Sequence, residues 1–166
     1  MVEMIRKKWA SIYANEKLVC IETCSGLRMT ARDPDGKLVL LSIGASPEEI
    51  GGGLKDALSA SRVLSPAELG PFFEVGAVKQ RYEEWVSLLL KEFGYESRRA
   101  LFKEMKHCQI ECAAGVITIM PTHHEKIEAW SGKGLDESSY VMVPESASSH
   151  EVGEAALLAI SRCTGK

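Results

Sequence analysis

Two runs rich in β-branched and aromatic residues open the chain. They extend from Lys8 to Tyr13 and from Lys17 to Cys24, and the polar residues Asn15 and Glu16 lie between them. Short segments of this composition are typical of β-strands, and a connection this short is typical of a hairpin. The pattern therefore predicts two neighbouring antiparallel strands at the start of the chain.

A third strand is predicted from Lys37 to Ile43, after the sequence DPDG at 33–36. Aspartate, proline and glycine each favour a tight turn at the positions they occupy there. Residues 38–41 are all apolar and do not alternate with polar residues, which predicts burial on both faces of the strand. We therefore expect an interior strand and an antiparallel meander in the N-terminal quarter.

Two helices with serine caps are predicted next. The sequence SPEE at 46–49 offers an N-cap, a proline at the first helical position and a glutamate three residues after the cap. Apolar spacing extends this helix to about Arg62, although the glycines at 51–53 each weaken a helix by about 1 kcal/mol, which implies a frayed or closely packed first turn. The sequence SPAE at 65–68 predicts a shorter helix that Pro71 ends.

The clearest helix is predicted from Ala77 to Phe93. One of its faces is apolar over four turns, and Gly94 follows at a position where helices commonly stop. The apolar residues are Val78, Tyr82, Trp85, Val86, Leu89, Leu90 and Phe93. We expect this helix to pack against the sheet through Trp85 and Leu89.

Strand patterns return in the last third of the chain. Gln109 to Cys112 and Val116 to Met120 flank the sequence AAG at 113–115, which has the length and the glycine of a hairpin loop. Tyr140 to Val143 gives another short apolar run. We therefore predict a second hairpin and one further strand.

A final helix begins at Ser148 or Ser149 and carries one apolar stripe. The stripe consists of Val152, Ala155, Ala156, Ala159, Ile160 and Cys163. Strands thus come first, helices cluster in the middle, more strands follow and a helix closes the chain, which is an α+β order. We predict a single α+β domain over residues 1–166, with a mainly antiparallel sheet and helices packed on it.

Charge and cysteine content narrow the class of function. Five cysteines in a chain with 45% apolar residues favour reduced thiols in the cytoplasm over a disulfide framework. A net charge of −3 disfavours direct binding to nucleic acid. No apolar run approaches the roughly 20 residues that cross a bilayer, and the start of the chain lacks a signal-type stretch. We therefore expect a cytoplasmic protein that contacts neither membrane nor nucleic acid.

The sequence THHE at 122–125 is the most enzyme-like segment. Imidazole and carboxylate groups together can relay protons or hold a metal ion. The alternative is a capping box, in which Thr122 caps a new helical turn and Glu125 bonds back to it. We favour the capping box, because adjacent histidines point in different directions and lack the spacing of a metalloprotease helix.

A zinc site or a cysteine nucleophile is the second chemical possibility. The zinc candidates are Cys20, Cys24, His107, Cys108 and Cys112, and the nucleophile could be any of the five cysteines paired with His107, His123, His124 or His150. Strand residues four apart share a face but lie roughly 13 Å apart, too far for both to bind one zinc ion. No known nucleophile sequence surrounds any cysteine, so we interpret these residues as small apolar filling and predict no metal site.

A basic cluster precedes these strands. Its members are Arg98, Arg99, Lys103, Lys106 and His107, and Trp130 follows farther along. A base could stack on the tryptophan. Interleaved glutamates reduce the local field, however, so we interpret the cluster as a solvated face and Trp130 as a packing anchor.

The segment from Arg98 to Gly134 also supports a resemblance. Its order is RALFKEMKHC, then the apolar ITI, then PTHHEKIEAWSG, and weaker similarity lies in ALSASR ending at Arg62 and in AALLAISRC ending at Cys163. This order resembles the immunity proteins of bacterial contact-dependent growth inhibition systems. The resemblance implies a protein that binds and neutralises a cognate toxin domain one-to-one, without chemistry or a cofactor of its own.

A toxin inhibitor acts by shape and charge, and nuclease toxins carry basic active sites because their substrates are polyphosphates. We therefore predict acidic contact residues in three pairs: Asp33 with Asp35, Glu83 with Glu84, and Asp136 with Glu137. Two alternatives stay open. One is a small cytosolic hydrolase with a cysteine–histidine site, and the other is an interaction module unrelated to toxins.

Overall fold

The computed structural model describes residues 6–165. Its strands are β1 (Lys8–Ala14), β2 (Leu18–Gly26), β3 (Thr30–Arg32), β4 (Leu38–Ser42), β5 (Lys106–Ala113), β6 (Val116–Pro121), β7 (His123–Lys126), β8 (Ala129–Ser131), β9 (Val141–Pro144) and β10 (Thr164–Gly165). Its α-helices are α1 (Pro47–Ser59), α2 (Pro66–Phe72), α3 (Val75–Phe93), α4 (Arg98–Phe102) and α5 (Ser149–Ser161). The predicted α+β class is confirmed.

Seven strands form one antiparallel sheet. Six of them follow the order β3-β2-β1-β5-β6-β9, and β4 pairs with the same edge of β2 as a continuation of β3. The central pair is β1 with β5, where Ala14 lies opposite Lys106 and Lys8 opposite Cys112. A second, three-stranded sheet has the order β10-β7-β8, and its β10–β7 pair is parallel. The predicted N-terminal meander is confirmed, with β3 as an additional strand.

Helices α1 and α5 cover one face of the large sheet. Their contact is so close that a Cβ atom added to Gly51 would lie 1.7 Å from the carbonyl oxygen of Ser149, and one added to Gly153 would lie 1.8 Å from that of Pro47. Glycine at these two positions therefore lets the two helix backbones touch. The glycines lie in the second turn of α1, where Gly51 and Gly53 are closely packed, and the capping box at Ser46 is formed as predicted.

Helices α3 and α4 cover part of the opposite face. Trp85 and Leu89 of α3 are buried against Leu18 and Cys20 of β2, which confirms the predicted inward face. Gly94 ends α3 in the left-handed conformation with φ of 67°. Among the helices of residues 6–165, none has the length and apolar character of a bilayer-crossing segment.

Two local predictions are wrong. Strand β4 pairs only with β2, so it is not an interior strand. The predicted burial on both faces does occur, because Leu41 packs toward α1 and α5 while Leu40 packs toward α3. Pro71 does not end the short helix either, since α2 continues to Phe72.

Candidate functional site

The turn at 33–36 places its two aspartates in different environments. Asp33 is 4% exposed, and its carboxylate accepts hydrogen bonds from Ser25 Oγ at 2.6 Å and Arg62 Nε at 2.8 Å. The Asp35 side chain is 80% exposed. Burial raises the pKa of Asp33, but the hydrogen bonds outweigh it and hold the pKa below its usual range. The prediction that Asp33 is an exposed acidic residue is therefore wrong, because its carboxylate ties the turn to the segment after α1.

Glu83 and Glu84 are exposed on α3, as predicted. Glu83 forms an ion pair with Arg98 of α4. Glu84 lines a cleft of about 210 Å³ whose opposite wall is the turn at 33–36. The structure thus brings two of the three predicted acidic segments to one cleft, although Lys37 and Arg81 also line it.

Asp136 and Glu137 are exposed at a short 3-10 turn, Glu137–Ser139. Asp136 Oδ1 accepts a hydrogen bond from the Ser138 amide at 2.9 Å, which caps this turn. Arg162, just after α5, donates to the Ser139 carbonyl at 3.1 Å. The Glu137 carboxylate takes part in none of the ion pairs found within residues 6–165.

A larger cleft of about 820 Å³ lies between α4, the loop after β1 and the small sheet. Its apolar wall includes Met105, Ile127 and Ile160, and both acidic and basic side chains line it as well. The charged residues are Glu16, Arg99, Lys103, Glu104 and Lys106. Three members of the predicted basic cluster therefore line one cleft, while Arg98 is engaged by Glu83 and Glu128.

The segment at 122–125 runs into strand β7 and does not start a helix, so the predicted capping box is wrong. Thr122 Oγ1 instead donates to the His107 carbonyl at 2.6 Å. Strand β10 pairs alongside His123 and His124, and this pairing keeps the segment extended. Within the described chain neither imidazole bonds to a thiol or a carboxylate, which leaves the hydrolase alternative without a supporting contact.

Trp130 fixes the small sheet to the protein core. Its Nε1 donates to the Met105 carbonyl at 2.9 Å, and its ring stacks on His124 at 4.9 Å with an interplanar angle of 8°. This confirms its predicted role as a packing anchor. Next to it, His107 stacks on Tyr13 at 4.4 Å, and burial, aided by the charge of Arg32, lowers the pKa of His107 to about 3.

Cys20, Cys24 and Cys112 lie on strands as predicted, Cys108 directly precedes the strand predicted for its segment, and Cys163 follows α5 although it was predicted to lie on that helix. Cys20 and Cys24 are on β2, and Cys108 and Cys112 are on β5. Over residues 6–165 no three histidine, cysteine, aspartate or glutamate side chains converge as a metal ion would require. The structure adds one contact that strand spacing could not predict, because Cys108 Sγ lies 3.5 Å from Cys163 Sγ.

Glu22 and Arg32 form an ion pair in the protein interior that the sequence analysis did not predict. Arg32 Nη2 donates to Glu22 at 2.7 Å, and the guanidinium lies 3.9 Å above the ring of Trp85. A signal was present, since Glu22 interrupts an otherwise apolar strand and a buried carboxylate needs a partner. The pair supports the wall of the 210 Å³ cleft, which both residues line together with Trp85.

The chain is similar to known proteins over nearly its whole length. A family model described as CDI immunity protein matches residues 8–163. Immunity protein CdiI-YPIII of Yersinia pseudotuberculosis serotype O:3 (strain YPIII) is 39% identical over 177 residues, which cover 99% of this chain and 100% of that protein. A solved CdiA-CT/CdiI toxin and immunity complex from Yersinia pseudotuberculosis matches with a TM-score of 0.90 and 37% identity, covering 98% of this chain and 100% of the matched one. A protein of unknown function from Neisseria meningitidis matches with a TM-score of 0.89 and 34% identity, over 98% and 99% of the two chains.

Proposed function

Because the chain belongs to the family of CDI immunity proteins, we propose that it binds and neutralises the cognate toxin domain of a contact-dependent growth inhibition system. The observation that carries this proposal is the match over nearly the whole chain to an immunity protein solved in complex with its toxin. A fold retained at a TM-score of 0.90 preserves the scaffold on which such a protein presents its contact surface.

The proposal extends to the mode and place of action. The protein acts as one domain in a one-to-one complex, performs no catalysis and works in the bacterial cytoplasm, where the delivered toxin has its target. We propose a nuclease as that toxin, since a mildly acidic inhibitor with a net charge of −3 complements the basic active site that a polyphosphate substrate requires.

The acidic residues proposed to face the toxin are the exposed members of the predicted pairs. They are Asp35, Glu83, Glu84, Asp136 and Glu137. Among them Glu84 has the strongest support, because it lines the cleft that the turn at 33–36 also borders. Asp33 is left out of this surface, since its carboxylate is buried and already accepts four hydrogen bonds.

Co-expression with the neighbouring toxin domain tests the function. Cells that produce the toxin domain should grow only when this chain is produced as well, and the two proteins should elute together at equal stoichiometry. A toxin domain from an unrelated system serves as the matched control and should kill in both cases. Equal killing with and without this chain, or no complex at micromolar concentration, would contradict the proposal.

A further inference from the structure

Two cysteines from distant parts of the sequence meet beneath α5. Cys108 lies on β5 and is fully buried, while Cys163 follows α5 and is half-buried. Their sulfur atoms are 3.5 Å apart, although 55 positions separate them in the chain. A disulfide bond needs about 2.05 Å, so an approach of roughly 1.5 Å would join them.

The other thiols of the chain have different surroundings. Cys20 is buried beneath α3 on the opposite face of the sheet, and Cys24 is hydrogen-bonded to Ser11 Oγ at 3.3 Å. Cys112 lies four residues beyond Cys108 on the same face of the strand, yet within residues 6–165 its sulfur contacts no second thiol. Cys108 and Cys163 are therefore the one thiol pair in contact among the described residues.

We propose that Cys108 and Cys163 form a dithiol modification site that closes to an intramolecular disulfide when it meets a small disulfide oxidant such as oxidised glutathione. The half-buried Cys163 thiolate attacks one sulfur of the oxidant and releases the first glutathione thiolate. Cys108 then loses its proton to that thiolate, attacks the Cys163 sulfur and releases the second glutathione. Two protein thiols are oxidised to one disulfide, and one oxidised glutathione is reduced to two thiols.

The two thiols differ in pKa, and the difference fits this order of attack. The hydrogen bond from the Cys108 thiol lowers the pKa of Cys163 to about 7, against burial, which raises it. The same hydrogen bond and burial raise the pKa of Cys108 well above its ordinary value. Cys163 is thus the sulfur with the lower pKa and the greater exposure, and both properties favour it as the first nucleophile.

Closure of the disulfide would cross-link β5 to the segment that joins α5 to β10. Thr164 and Gly165 of β10 pair with His123 and His124 and form part of the wall of the 820 Å³ cleft. Arg162, Thr164 and Gly165, on either side of Cys163, are exposed, so the approach of the two sulfurs displaces no buried side chain at these three positions. The modification would therefore fix one wall of that cleft.

Incubation of the full chain with oxidised glutathione tests the site. Titratable thiols under denaturing, non-reducing conditions should fall from five to three, the mass should decrease by about 2 Da, and a disulfide-linked peptide should join Cys108 to Cys163. Because Cys163 is only half-buried, serine should be tolerated at this position, and the Cys163→Ser variant should form no intramolecular disulfide. The matched control is Cys112→Ser, which should still lose two thiols.

Three results would overturn the proposal. They are retention of all five thiols, a stable glutathione adduct on Cys163 in place of the intramolecular bond, and a disulfide that uses Cys20, Cys24 or Cys112. A Cys112→Ser variant that loses no thiols would also contradict it, provided that its melting curve shows a folded protein.

Discussion

Two aspartates of one turn have opposite physical roles, and their variants should separate those roles. We predict that Asp33→Asn destabilises the protein by about 1–3 kcal/mol, because it weakens buried charge-assisted hydrogen bonds to Arg62 and Ser25. Asp35→Asn should change the free energy of unfolding by less than about 0.5 kcal/mol, since its side chain is solvated. Urea melts of both variants measure the difference, and equal midpoints would contradict it.

The sequence could not distinguish these two residues. Asp33 and Asp35 are two positions apart in the same DPDG turn, and they carry the same side chain. The contacts that hold Asp33 in its buried position come from distant residues, Ser25 on β2 and Arg62, which lies 29 positions away. For this reason the turn itself was predictable and the exposure of its carboxylates was not.

His107 gives the stability of the protein a pH dependence. Both ring nitrogens are buried without a hydrogen-bond partner within residues 6–165, and the pKa of the folded state is about 3 against about 6.5 in an unfolded chain. The unfolded state therefore binds more protons below pH 6.5, so the stability from neutral His107 is present above that pH and falls as the pH drops toward 3.

We predict that wild type loses up to about 2 kcal/mol more stability than His107→Phe between pH 7.5 and pH 5. Phenylalanine keeps the ring that stacks on Tyr13 and removes the titrating group. Denaturant melts at the two pH values give the comparison. Parallel losses in the two proteins would show that His107 does not titrate in this way.

At the scale of elements, the contact of α1 with α5 provides a test with a built-in control. Gly51→Ala should destabilise the protein by about 1–3 kcal/mol or more, because its new methyl group would meet the Ser149 carbonyl at 1.7 Å. Gly52→Ala has no atom within 4 Å of the added carbon and should stabilise the helix by about 0.5–1 kcal/mol. Thermal melts of the two neighbours should therefore shift in opposite directions.

Elements with local signals were predictable, and those that depend on distant partners were not. The caps at Ser46 and Ser148 are formed as their sequences indicate, and the turn at Gly115 closes the expected hairpin. Strand β7 carries a polar sequence with helix-start features, and only its pairing with β8 and β10 keeps it extended. The edge position of β4 likewise depends on how the whole sheet is ordered.

At the scale of the whole molecule, surface charge should control the rate of toxin binding. We predict that association with the toxin domain slows as salt concentration rises while dissociation changes little. Charge removal at Glu83 with Glu84, at Asp136 with Glu137, or at Asp35 alone should slow association at low salt if that position faces the toxin. Stopped-flow measurement of the wild type and these variants identifies the acidic surface involved.

Asp56, which lies on α1 outside the predicted pairs, supplies a control that matches the single charge removed at Asp35. Its replacement by asparagine should leave association unchanged. If every variant associates like the wild type, the proposed contact residues are wrong, and the proposed function is unaffected.

The pairing of β1 with β5 at the centre of the sheet sets the order in which a newly made chain can fold. Strand β1 leaves the ribosome first, but its partner at Lys106–Ala113 is made only after most of the chain. Helix α5, which together with α1 covers one face of this sheet, is made later still. Pairing of such distant segments is slow because the intervening loop must close first. The large sheet with α5 on its face is therefore complete only after the last helix has been made, so we expect a cell's resistance to depend on the folded protein it has already accumulated.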